Sequence, residues 1–184
     1  GLGMSRLAGG ETELAWKDLQ AAVKLDKDRY QADIVLILAH LTRSNFDEAL
    51  SALDSLKKKQ PQNPITYDLM AMAFLGKKDE VQARQNWERS LEINPKYVPA
   101  AAKLAELDLR SGKTNDARRR LESVLEHDQG NVEALLQLSR LGRRIGATPQ
   151  ELVGWLQRAR NAAPDMVQPK LELARAYAMT GERK

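Results

Sequence analysis

A break that returns every 34 residues governs what this sequence can fold into. Pro61 and Pro95 lie 34 positions apart, Gln129 follows 34 later and Pro164 another 35 on, each between two amphipathic runs. Midway between these breaks stand Gly10, Ser44, Lys78, Gly112, Gly146 and Gly181, spaced 34, 34, 34, 34 and 35. A fixed period of this length marks a repeat array, in which each unit covers its apolar face with its neighbours.

Each period reads as two helices. In residues 98–131, Ala101, Leu104, Ala105 and Leu109 form one stripe and Ala117, Leu121, Val124 and Leu125 another, with RSGKTN between them. Spacings of three and four place each set on one helix face. A glycine suits the left-handed residue that ends a helix, and proline cannot continue one, so the prolines mark seams between consecutive helix pairs. The expected fold is all-α, a single array of antiparallel helix pairs over residues 1–184. Full repeats fall at 30–63, 64–97, 98–131 and 132–166, with partial ones at 1–29 and 167–184.

The pattern resembles the tetratricopeptide repeat. Tyr67, Met70, Ala71, Phe74, Ala83, Trp87, Ser90, Leu91 and Pro95 fall on that family's signature positions, and Leu104, Ala105, Gly112, Ala117, Leu121, Val124 and Leu125 repeat the scheme. The small residues let two helices approach closely while Trp87 or Leu121 fills the space beside them. The resemblance implies a right-handed superhelical solenoid. Departures occur at Ile37, where a small residue is usual, at His40 and Asp108, where an aromatic is common, and at Leu152 in place of alanine. An extra residue in GATPQE predicts a late start for the helix that follows it.

Composition narrows the function. Aromatic residues make up 5% and charged residues 29% of the chain, which suits a thin helical array with much solvated surface. With no cysteine there is neither a disulfide framework nor a thiolate metal site. His40 is expected in a packed helix face and His127 at a helix end, far from any partner ligand. LAGGETE follows a helix rather than a strand and so is no phosphate loop. Neither an enzyme nor a cofactor, metal or small-molecule site is expected. The apolar run ADIVLILAHL is about half the length a membrane span needs. A net charge of +4 is too mild to favour nucleic acid, leaving a weak polyanion-binding module as an alternative.

The family resemblance implies partner binding on a concave surface lined by the first helix of each pair. On this chain that surface would carry Ile34, Leu38, Asp68, Met72, Lys103, Glu106, Arg140, Arg143, Arg144 and Arg175, running from apolar to basic. A protein or peptide with acidic residues fits such a gradient. Packing between neighbouring first helices is the competing account of Ile34, Leu38 and Met72, and a solvated face that of the three arginines. Arg118 to Arg120 fall on a second helix, where a solvated convex face is expected. Of the groove positions that cochaperones use to grip a chaperone's C-terminal carboxylate, only Lys103 is suitable here, so that clamp is absent.

A finer resemblance joins ETELAWKDLQAAVKLDKD and the stretch from Asn131 to Glu182 to the tetratricopeptide lipoproteins of the bacterial exosortase (PEP-CTERM) and exopolysaccharide system. It implies an envelope scaffold for protein sorting or polysaccharide secretion, anchored through a lipid outside this segment, with a cytoplasmic adaptor as the alternative. Leu2 and Gly3 match Leu104 and Ala105, and residues 167–184 supply a first helix without a second. A segment of a longer array is therefore expected.

Overall fold

The computed structural model describes residues 30–180, which fall in two compact units, Gly1–Ile93 and Asn94–Lys184. The expected partial repeat over 1–29 and the turn at Gly181 lie outside the described residues. Every regular element described is an α-helix. The first unit contains α1 (Tyr30–Thr42), α2 (Phe46–Lys59), α3 (Pro64–Gly76) and α4 (Glu80–Ile93). The second contains α5 (Val98–Arg110), α6 (Thr114–His127), α7 (Val132–Ile145), α8 (Pro149–Ala162) and α9 (Val167–Thr180). In each unit successive helices pack as hairpins, and neighbouring first helices also touch, α1 with α3 and α5 with α7.

Local chemistry sets the helix ends. Asn63 accepts from the Ile65 amide at 3.0 Å ahead of Pro64, and Asn131 accepts from the Ala134 amide at 3.0 Å, so each satisfies a donor that the first turn leaves without a partner. Thr148 and Glu151 form a reciprocal capping box at the start of α8, with Pro149 between them. The breaks at Pro61, Gln129 and Pro164 fall between hairpins. The repeat's midpoints are its left-handed residues: φ is 60° at Ser44, 64° at Lys78, 74° at Gly112 and 77° at Gly146. Two of these four are not glycine and hold a backbone conformation that a Cβ disfavours. After Gly146 the chain takes Ala147 and Thr148 before α8 opens, one residue more than after Gly112, and this accommodates the 35-residue period.

Each unit has its own core. In the first, Ile37, Leu53, Leu56, Tyr67, Leu69 and Met70 form a buried cluster flanked by Ile34, Leu41, Leu50 and Phe74. In the second, Leu136, Leu156, Leu173 and Ala176 cluster with Val132, Val153 and Tyr177 around them. Ala71, Ala83, Ala105 and Ala117 are all buried, as close helix approach requires. The four departures are all buried. Ile37 is large where Ala71 and Ala105 are small, and the residue at the position of Ala83 and Ala117 in that repeat is Ala49, fully buried. Leu152 is large where those alanines stand, and it fits because α7 carries Gly142: a methyl group there would lie 3.0 Å from Leu152 and 2.7 Å from the Trp155 ring.

Candidate functional site

The first helices carry the residues singled out from sequence, in two separate groups. In the first unit Leu38 and Met72 occupy equivalent places on α1 and α3 and are 43% and 38% exposed, which makes them an open apolar pair. Ile34 is half-buried against the core cluster and contributes to packing. Asp68 is a correction. Its carboxylate is buried and accepts from Trp87 Nε1 at 2.7 Å, so it orients a fully buried core side chain rather than facing a ligand.

In the second unit the arginines are joined to the acids of the same face. Arg144 on α7 reaches Glu106 on α5 with two bonds, 2.6 and 3.2 Å, in the forked geometry that guanidinium and carboxylate favour. Arg143 bonds Glu172 on α9 and also reaches Ser139 Oγ at 3.4 Å, while Arg140 lies 3.8 Å from the same carboxylate. The result is a ladder of ion pairs running from first helix to first helix. Glu106 titrates below its ordinary value, chiefly through its bonds to Arg144, with Arg110 and Lys103 adding positive potential and partial burial opposing it. Lys103 and Arg175 are exposed on α5 and α9.

Two of the three second-helix cations depart from the expected solvated face: Arg119 is exposed, but Arg118 and Arg120 are half-buried. Arg118 bonds Glu122 at 2.7 Å and Glu151 at 2.8 Å and lies 5.2 Å from the centroid of the Trp155 ring, tying α6 to α8. Arg120 bonds the buried Asp108 at 3.1 Å, and Arg119 pairs with Asp116. A signal was present in the sequence: Arg118 and Glu122 stand four apart, the spacing of neighbours on one helix face. His40 is buried at the end of α1, and desolvation lowers its pKa first, with Glu48 opposing and Arg43 assisting. His127 Nδ1 lies 3.0 Å from the Ser123 carbonyl oxygen in the last turn of α6. Among the described residues no group of three or more His, Cys, Asp or Glu side chains could hold a metal ion, and no helix is long and apolar enough to cross a membrane.

Two tetratricopeptide-repeat sequence profiles match the chain, over residues 1–64 and 74–141, together well over half its length. The chain is a tetratricopeptide repeat protein. No curated protein sequence matches it significantly. Among solved structures, a thermophilic tetratricopeptide protein of Thermus thermophilus, TTC0263, shares 19% identity over 96% of both chains with a TM-score of 0.66. Yeast Tom70 shares 19% identity over 97% of this chain and 38% of its own, with a TM-score of 0.72. YrrB, described as a tetratricopeptide protein with an unusual peptide-binding site, shares 16% identity over 94% and 88% of the two chains, with a TM-score of 0.53. At these identities the likeness is one of fold, an all-α helical repeat.

Proposed function

We propose that this tetratricopeptide protein is a non-catalytic scaffold whose second unit offers the exposed face of α5, α7 and α9 to an acidic segment of a protein partner. The supporting observation is charge: on that face Lys103, Arg110, Arg140, Arg143, Arg144 and Arg175 outnumber Glu106, Glu133 and Glu172. Internal pairing therefore leaves positive potential, which attracts and orients an acidic ligand. The peptide-binding site described for YrrB, a protein of the same fold, supports a peptide as the class of ligand. The resemblance to exosortase-associated lipoproteins supports a setting in the bacterial envelope, in protein sorting or exopolysaccharide secretion.

The test is capture from separate envelope and cytosolic extracts of the source cell, using the chain beside a variant carrying Arg140→Gln, Arg143→Gln and Arg144→Gln. Glutamine removes the charge without placing new carboxylates against Glu106 and Glu172. A saturable protein retained by the chain and lost by the folded variant is the expected result, and its extract assigns the compartment. Equal retention by both would sink the basic-face reading. Recovery of nucleic acid, with affinity falling steeply as salt rises, would move the function to polyanion binding.

A further inference from the structure

The arginines that this face would offer an acidic partner are already occupied by the chain's own carboxylates. Glu106 accepts from both terminal nitrogens of Arg144, the forked arrangement that a ligand carboxylate would adopt. The Glu172 side chain is 11% exposed, whereas those of Arg143 and Arg140 above it are 34% and 46% exposed, so an approaching ligand meets the guanidinium groups first. Repeat packing does not demand these acids. The residues equivalent to Glu172 are Val35, Leu69, Lys103 and Gln137, and those equivalent to Glu106 are Leu38, Met72, Arg140 and Arg175.

We infer that Glu172 and Glu106 are intramolecular stand-ins for the partner's carboxylates, so that an acidic peptide binds by displacing them from Arg143, Arg140 and Arg144. The inference rests on the acidic-partner reading above and adds its regulation: affinity is set by competition with side chains on α9 and α5. For Arg144 and Glu106, both about half exposed, exchange needs only side-chain rotation, and an exposed pair of this kind is held weakly enough to be replaced, whereas the more buried Glu172 must turn outward to give way. A structural role for Glu172 makes the opposite claim. If it served to hold the arginines in their binding geometry, its loss would weaken the ligand's hold.

The experiment measures fluorescence anisotropy of a short labelled peptide of alternating glutamate and leucine at low salt, with the full chain and with Glu172→Gln, Glu106→Gln and Glu126→Gln. Glu126 is exposed on α6, so its replacement makes the same change in net charge away from the face. Glu172→Gln and Glu106→Gln are each expected to tighten binding about five-fold. Glu126→Gln is expected to stay within about two-fold of the wild type, since screened charges off the face act weakly. Binding that appears only in the two glutamate variants also supports displacement. Unchanged or weaker binding by both, or a gain matched by Glu126→Gln, overturns it while leaving the acidic-partner reading intact. Absence of binding by every protein overturns both. Wild-type binding indifferent to the triple arginine-to-glutamine change overturns the reading itself. Melting curves accompany each variant, and the exposed Glu106 pair carries the test if Glu172→Gln does not fold.

Discussion

Replacing Trp87 probes the packing of the first unit most directly. Trp87 is fully buried, and its indole N–H is held at 2.7 Å by the buried carboxylate of Asp68, so it contributes both volume and a hydrogen bond to an acid. Truncating a core tryptophan to alanine costs about 3–5 kcal/mol in packing. Losing the hydrogen bond and leaving the buried Asp68 carboxyl without this donor adds about 1–3 kcal/mol. Trp87→Ala therefore approaches the whole stability of a small domain, which is about 5–15 kcal/mol. Trp87→Phe keeps most of the ring and removes the donor, so about 2–3 kcal/mol is expected from the bond and the residual gap. Urea unfolding followed by circular dichroism gives both values. Amide exchange should show protection falling first in α3 and α4, and in α2, which packs on α3. A Trp87→Ala cost below about 1 kcal/mol would refute the core assignment. A Trp87→Phe variant as stable as the wild type would show that the Asp68 bond contributes nothing.

The left-handed turns make a prediction of opposite signs. Lys78→Gly relieves a Cβ held at φ 64° and should raise the urea midpoint, a net gain of about 0.5–1 kcal/mol after glycine's greater unfolded-state freedom. Gly112→Ala, at φ 74°, should lower it by about 1 kcal/mol, and shifts of the same sign would overturn the account. Acid should act in two windows. The folded-state pKa of His40 is depressed, so its contribution is present above its unfolded value of 6.5 and lost as pH falls below it; His40→Gln should remove that step. Glu106 and Glu151 are likewise depressed, the first through Arg144 and the second through the Thr148 backbone, so their stabilisation holds above about 4.5 and is lost at lower pH. Glu106→Gln should flatten the dependence of melting temperature on pH only in this lower window, as scanning calorimetry would show.

The helix pairs were legible because their signals are local and repeated. The period, the prolines and the alternation of small and large residues each report on a few neighbouring positions, and every repeat restates them. The charged face was legible only as a list of residues. Nothing within a stripe says that Arg144 reaches Glu106, 38 positions away, or that Arg143 reaches Glu172, 29 away, because such pairs depend on how consecutive hairpins stack. Asp68 shows the same limit. An acid on a first helix reads as a groove residue until a buried indole 19 residues later supplies its donor.

The departures from the repeat become intelligible when position is compared across units. His40, Phe74, Asp108 and Gly142 are equivalent sites on first helices, and Arg120 and Trp155 are equivalent sites on second ones. In one repeat the contact is an ion pair, Asp108 with Arg120 at 3.1 Å. In the next it is steric, with Gly142 vacating the space that the Trp155 ring fills. Asp108 and Gly142, taken alone, each look like a lapse at a site where Phe74 keeps the aromatic. Taken together they show that close packing constrains the sum of two facing side chains and leaves open whether charge or volume supplies it. A departure on a first helix therefore points to its own compensation 12 or 13 residues later, where an acid calls for a base and a missing side chain for a large one.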